Sequence, residues 1–386
     1  MGASYLQSSL DQLPAARDPK LIELCINPDG TVWGEMQGDH FMRALDMRLT
    51  PHAAQDLGAQ IASAANTTLS QAKPIVSVSI LYRDRPIRAQ VIQPPAVEGG
   101  FAISLRFFAD LPLDKIQLTY LFGSERSSEA TRRARNTELR TVVATGDIEA
   151  AIAFCVSHKL NMIVSGGTST GKTVTARKIL SFVPEAERLI TIEDAAELMP
   201  TQPNTVTLMA DREARERSAD QLLTATLRMR PDRIVLGEVR GKEAMTFLEA
   251  INTGHGGSLT TLHAETPQLT IQRLAIAALK TDVPMTYQDM IHYITRSIDV
   301  IIQAGRHARA GSPSSTCPAL KQKKLRPQMF EYLTRKINTG RKKPQTYAEE
   351  LNALGREGWE LVAVTPDFDG EHILTAFLKR PLKAAH

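Results

Sequence analysis

The sequence predicts an α/β protein built on a parallel sheet, with an α+β unit in front of it, and three observations carry that prediction. From Asp147 to Gln303, short apolar runs alternate with segments of helical period, the pattern of a parallel sheet covered by helices on both faces. A glycine-rich string, Gly166-Gly167-Thr168-Ser169-Thr170-Gly171-Lys172-Thr173, lies between one such run and one such helix. Before residue 122, strands follow each other closely and pair with near neighbours, which is the α+β pattern.

In the first domain, placed at 1–122, residues 21–35 alternate as two strands about the turn Asn27-Pro28-Asp29-Gly30. Residues 51–67 put Leu57, Ile61 and Ala64 on one helical face, and strands are expected at 75–80, 88–93 and 101–106. The segment 123–146 is polar and charged at its start, which predicts an exposed linker or a helix with little apolar face. The domain at 147–308 reads as a helix to 158, strand 162–165, helix 172–182, strand 189–192, helix 221–229, strand 233–236, helix 243–252, strand 258–262 and strand 300–303. Gly311-Ser312-Pro313-Ser314-Ser315 falls in a flexible basic linker at 309–327. Beyond it, 328–386 reads as a small βαββ appendage, with strands at 330–337, 360–364 and 372–378 and a helix at 346–354 stopped by Gly355.

At 386 residues and 42% hydrophobic, the chain has material for one large core or two to three modest ones. Its formal charge is +4, but from Arg309 onward fourteen Lys/Arg stand against eight Asp/Glu, so the basic character is local. Clusters such as Lys321, Lys323, Lys324 and Arg326 could touch nucleic acid or anionic lipid weakly; solvated linker is the other reading. Cys25, Cys155 and Cys317 are odd in number and widely spaced, which argues against a disulfide framework and a zinc site and for a reducing compartment. No apolar run approaches the roughly 18 residues needed to cross a bilayer, and the N-terminus lacks a signal-peptide layout. Membrane association is therefore expected to be peripheral or mediated by a partner.

The glycine-rich string fits G-x-x-x-x-G-K-[ST] in the context that pattern needs, an apolar strand before it and an amphipathic helix after it. Glycines let the loop turn its N–H groups inward, so that loop and helix dipole surround a β-phosphate. Lys172 is placed to neutralise β/γ charge and Thr173 to hold Mg²⁺, which predicts binding of ATP or GTP.

Glu193-Asp194 and Glu238 each follow an apolar strand, and in open α/β sheets the carboxyl ends of strands face the ligand crevice. A nucleotide hydrolase needs one carboxylate near Mg²⁺ and one to orient or deprotonate the attacking water. Glu238 suits the second role, and Glu193 the first or that of its partner; helix capping is the plainer alternative for both. Thr173, Glu193 and Glu238 are thus the protein-side candidates for the metal. His255 and His263 flank the strand at 258–262 without a third ligand nearby, so a γ-phosphate sensor fits His263 better than a metal site. Arg228, Arg230 and Arg240 bracket the Glu238 strand, where they either clamp phosphate or form salt-bridge architecture.

The strings Ile163-Val164-Ser165-Gly166-Gly167-Thr168 with Gly171-Lys172-Thr173, Thr191-Ile192-Glu193-Asp194, Arg228-Met229-Arg230-Pro231-Asp232-Arg233 leading to Gly237-Glu238-Val239-Arg240, and Thr253-Gly254-His255-Gly256-Gly257-Ser258 with Leu262-His263-Ala264 resemble those of the secretion traffic ATPases. There they are named Walker A, Asp box, Walker B and His box. The short N-terminal region and the lack of a four-cysteine zinc motif look more like the type IV secretion and conjugation branch than the type II secretion or type IV pilus ATPases. The resemblance implies a RecA-like P-loop domain with ATP and Mg²⁺, hydrolysis that energises protein or DNA translocation or pilus assembly, and a homohexameric ring. It also implies a cytoplasmic protein at the inner membrane, with secretion-channel or coupling proteins as partners. In that family, arginines of the N-terminal domain or linker reach the γ-phosphate. Arg106, in Ser104-Leu105-Arg106, stands about where the branch has an Ile-Arg-Lys-Pro-like string, though Phe107-Phe108 follow it; Arg126, Arg133 and Arg140 compete for the role. A nucleic-acid translocase and a nucleotide-binding scaffold are the other readings, the scaffold being disfavoured by intact Lys172, Thr173 and Glu238.

Overall fold

The structure, a computed structural model, describes residues 2–108, 128–305, 330–338, 360–366 and 373–381. The chain divides into two compact units, Met1–Ala308 and Arg309–His386.

The first unit begins with an antiparallel sheet of β1 (Leu21–Ile26), β2 (Thr31–Met36), β3 (Arg43–Arg48), β4 (Ile75–Tyr82), β5 (Arg85–Ile92) and β6 (Ala102–Phe107), in the order β3-β2-β1-β6-β5-β4. The β1–β2 turn uses Gly30 at φ +85, where a Cβ would lie 2.2 Å from the Leu49 carbonyl oxygen. Helices α1 (Gly2–Asp11) and α2 (Pro51–Ala64) cover one face, burying Leu6, Leu10, Leu57 and Ile61 against Leu24, Ile103, Leu105 and Val91. The period of two sends the opposite residues the other way, so the second face carries polar cross-strand pairs such as Glu23 with Arg106 and Ser104 with Gln90, of which Glu23, Ser104 and Gln90 are buried.

The second sheet of this unit is parallel: β7 (Met162–Gly166), β8 (Leu189–Glu193), β9 (Thr205–Met209), β10 (Arg233–Leu236), β11 (Leu259–Leu262) and β12 (Val300–Ala304), ordered β12-β7-β11-β10-β8-β9. Helices α3 (Ser128–Ala144), α4 (Ile148–Ser157), α5 (Lys172–Leu180), α6 (Ala219–Thr226), α7 (Glu243–Asn252), α8 (Pro267–Ala278) and α9 (Tyr287–Ser297) accompany it. Both faces are apolar, as covered parallel strands require. Ile163, Ile190, Ile192, Ile234 and Leu236 share a core with α6 to α9, while Met162, Val164, Leu189 and Val235 share one with α4 and α5.

The elements expected at 162–165, 189–192, 233–236 and 243–252 are present, with ends moved by one residue at most. Five others went unread: α1 and β3 around the antiparallel sheet, and edge strand β9, α8 and α9 around the parallel one. Within 123–146 the described part is mostly helix: α3 places Arg132 3.2 Å and Arg135 2.8 Å from Asp299. Arg132 also donates to the carbonyls of Arg296, Thr295 and Ile298 at the C-terminal end of α9.

The antiparallel sheet is fastened to the parallel one. Beyond β5, Glu98 donates its N–H to Thr207 O and Met209 donates to Ala96 O, so the segment pairs with the open edge of β9. The Arg188 guanidinium, fully buried, donates to Met229 O at 2.9 Å, to Asn27 Oδ1 at 2.7 Å and to Asn204. Arg230 pairs with Glu35 of β2 and with Asp232.

The second unit shows an antiparallel sheet of β13 (Phe330–Asn338), β14 (Glu360–Pro366) and β15 (Ile373–Pro381), ordered β13-β15-β14. The helix read at 346–354 and the linker at 309–327 lie outside the described residues, as do the 122/123 boundary and Arg126.

Candidate active site

Strand β7 runs into the glycine-rich loop, and the loop into α5. Gly166 tolerates no side chain, because a Cβ would lie 2.4 Å from Thr170 Oγ1 and 2.6 Å from Ala304 O. Ser169 (φ +56) and Gly171 (φ +86) are left-handed, which turns the loop over the start of α5. Gly171, as N-cap, offers no side-chain acceptor, so the first-turn amides of α5 keep their capacity for an anion. With Lys172, Thr173, Glu193, Asp194, Glu238 and His263 among its walls, this loop borders a cavity of about 540 Å³.

Lys172 is 8% exposed. Its ammonium donates to the carbonyls of Gly166 (3.2 Å) and Gly167 (2.9 Å) and lies 3.3 Å from His263 Nδ1. Burial lowers its pKa, against the opposing pull of Glu238. Glu238, two residues beyond β10, sits with Oε1 3.2 Å from His263 Nε2 and pairs with Arg240. Its pKa is raised, foremost by burial and also by Asp194, with Lys172, Arg212 and Arg273 in opposition. His263, just past β11, has its pKa lowered by burial and then by Lys172 and Arg273, which favours the neutral ring. One tautomer satisfies both contacts: Nδ1 accepts from Lys172, and Nε2–H donates to Glu238.

Glu193 closes β8 and is 5% exposed. Its Oε2 accepts from the N–H groups of Glu197 and Leu198, 2.9 Å each, and its Oε1 is buried with no partner among the described residues. Glu197 in turn accepts from Thr173 Oγ1 at 3.3 Å. Asp194 is held by Arg212 at 2.6 Å and Arg240 at 3.6 Å. In an adjoining hollow, Arg273 of α8 stands with Glu238, Arg240 and His263, and it has no hydrogen bond or ion pair among the described residues.

The structure thus gathers Gly166, Gly167, Thr168, Ser169, Thr170, Gly171, Lys172, Thr173, Glu193, Glu238, Arg240 and His263 around one loop. It does not bring Arg106 there. Arg106 lies 3.8 Å from Glu23 in a separate cleft of about 830 Å³ between the two sheets, with Arg88, Arg228 and His255. Of the three arginines read as phosphate clamps, Arg228 and Arg230 also belong to that cleft, and Arg230 is spent on Glu35 and Asp232; Arg240 alone is at the cavity. His255 is turned to the Pro231 carbonyl, 3.3 Å away. Glu197, Arg212 and Arg273 were missed by sequence reasoning. Glu197 carried the one available signal, a third acid within five residues at a strand end.

Among the described residues no group of three or more His, Cys, Asp or Glu could hold a metal by itself, and no helix is long and apolar enough to cross a membrane.

Residues 131–354 match the family model of the type II/IV secretion system protein. Type IV secretion system protein VirB11 of Brucella suis is 30% identical over 311 residues, 77% of this chain and 85% of that protein. Conjugal transfer protein TrbB of Rhizobium radiobacter is 31% identical over 310 residues, 79% of this chain and 86% of that protein. The crystal structure of the VirB11 ATPase from the Brucella suis type IV secretion system, in complex with sulphate, superposes with a TM-score of 0.69 at 27% identity, over 78% of this chain and 90% of that one. The chain therefore belongs to the type II/IV secretion system protein family, among the traffic ATPases of type IV secretion.

Proposed function

We propose that the chain is a Mg²⁺-dependent ATPase motor that energises type IV secretion or conjugative transfer as a homohexameric ring, with Glu238 as the residue that activates the attacking water. The observation that carries this reading is the array Lys172–His263–Glu238 directly beside the glycine-rich loop, at 3.3 Å and 3.2 Å. Its components come from the carboxyl ends of β7, β11 and β10, where ligands bind in open α/β sheets.

The loop amides and the first turn of α5 would take the phosphates, and Lys172 would exchange the Gly166 and Gly167 carbonyls for β/γ oxygens. Thr173 Oγ1 and one carboxylate of the Glu193–Glu197 segment, either the Glu197 side chain beside it or the unpartnered Glu193 Oε1, would supply the hard oxygens that suit Mg²⁺, an ion held by one or two side-chain oxygens plus phosphate and water. Bound with the nucleotide, Mg²⁺ supplies neutralisation of phosphate charge. Glu238, with a pKa raised by burial, takes the proton of the attacking water while His263 Nε2–H holds its second oxygen. Arg240 ties Glu238 to Asp194 and so fixes the carboxylate's orientation.

Arg106, away from the cradle of its own chain, would serve that of a neighbouring copy, which makes hydrolysis depend on assembly. We read 1–122 as the N-terminal domain, 147–308 as the RecA-like catalytic domain and 328–386 as an appendage. The protein would work at the cytoplasmic side of the inner membrane through secretion-channel or coupling proteins.

Steady-state ATP hydrolysis by wild type, Glu238→Gln and Lys172→Ala tests the reading, with mass in solution followed by light scattering. Activity in a ring-sized wild type that vanishes in both variants supports the motor. Tight ATP binding without turnover by an assembled wild type would sink it in favour of a scaffold.

A further inference from the structure

We infer that the carboxylate serving Thr173 at the metal position is Glu197, and that Glu193 is a positioning residue that holds Glu197 there. The inference rests on the reading of the cradle as a Mg²⁺–nucleotide site.

Four carboxylates border the cavity: Glu193, Asp194, Glu197 and Glu238. Asp194 is paired with Arg212 and Arg240, and Glu238 with Arg240 and His263. Glu193 and Glu197 have no cationic partner among the described residues, and of these two Glu197 is the one that touches the Thr173 hydroxyl, at 3.3 Å. Glu193 works instead on the backbone. Its Oε2 receives two successive amides, of Glu197 and Leu198, at 2.9 Å each. Such charge-assisted bonds fix the path of the chain after Asp194 and so set where the Glu197 side chain starts.

Mobility separates the two acids further. Glu193 is buried at the end of β8, and leaving its place would orphan two N–H groups. Glu197 is exposed on the loop and can adjust to an ion beside Thr173 at little cost. The spacing Glu193-x-x-x-Glu197 thus acts as a clamp in which the buried acid orders the loop and the exposed one faces the phosphate side.

Equilibrium binding of fluorescent ADP to the full chain, with and without Mg²⁺, tests this in wild type, Glu197→Gln, Glu193→Gln and Glu193→Ala. Mg²⁺ should strengthen binding to wild type. Glu197→Gln should cut that gain roughly 10–100-fold while leaving Mg²⁺-free affinity in place. Glu193→Gln, whose amide oxygen still accepts the two N–H groups, should keep most of the gain, and Glu193→Ala should lose it. Thermal unfolding of each variant checks folding, and the two Gln variants decide the matter should Glu193→Ala not fold. Any pattern in which Glu197→Gln keeps the gain, or Glu193→Gln loses as much, overturns the inference, as does ADP binding to wild type that ignores Mg²⁺. A wild type that binds no nucleotide under either condition overturns the reading of the cradle instead.

Discussion

His263 stands between the two halves of the site: its Nε2 is 3.2 Å from the Glu238 carboxylate, while its Nδ1 takes the Lys172 ammonium at 3.3 Å. A hydrogen bond to a charged group is worth about 1.5–3 kcal/mol, or roughly ten- to hundredfold in rate when made in the transition state. His263→Ala should therefore lower kcat by that factor and leave nucleotide affinity nearly unchanged, as measured by turnover and by ADP titration.

Arg273 bears on the pH profile. In the role proposed for it Glu238 acts only when ionised, so activity should be lost as pH falls through its pKa, which burial raises from the ordinary carboxylate value. Arg273 lowers the pKa of both Glu238 and His263. Arg273→Ala should move the acid limb of kcat/KM to higher pH as well as reduce kcat. An unchanged limb would mean that Arg273 does not face the site in the working enzyme.

Glu23 predicts a pH-dependent stability. Burial raises its pKa to about 8, with Glu35 adding to the shift and Arg106, Arg230 and Arg188 opposing it. Because the folded-state pKa is raised, the stabilisation is fully present below the unfolded pKa and is lost as pH rises through about 8. The wild-type melting temperature should fall between pH 6 and pH 9 by more than that of Glu23→Gln, which has no proton to lose there.

Arg230 is the main ion-pair tie between the antiparallel sheet and the catalytic half. Arg230→Ala leaves Glu35 and Asp232, 14% and 7% exposed, without their cation. Breaking such a pair costs about 3–5 kcal/mol, at the lower end for a partly solvated site. Urea denaturation should show that loss, whereas a phosphate-binding role would lower ATP affinity without lowering stability.

How much of this was legible in the sequence depended on whether local chemistry decided it. The loop from Gly166 to Thr173 was readable because its glycines and the lysine do the same job in any chain that folds strand–loop–helix. The ends of β8 and β10 were readable because these covered strands are mostly apolar and stop abruptly at Glu193 and Gly237-Glu238. Strand β9 was not: Thr205–Met209 alternates polar and apolar residues over only four positions and is completed by Ala96 and Glu98, more than a hundred residues earlier. Helix α9 has a capping box at Thr286 and Asp289 that marks its start, yet without an established neighbour nothing set its apolar face. The arginines were least readable. Arg230 and Arg240 flank the same strand, and what separates a structural from a catalytic place is Glu35, nearly two hundred positions away.

The pairing of residues 96–98 with β9 has a mechanical consequence. β9 is hydrogen-bonded along its length to β8, which ends in Glu193, and Ala210 returns an N–H to the Glu193 carbonyl. A row of main-chain bonds is stiff against sliding, so a displacement of Glu193 is carried across two strands into the backbone between β5 and β6. The catalytic half and the antiparallel sheet thus communicate through main chain alone along this path, with no side chain between Glu193 and residues 96–98.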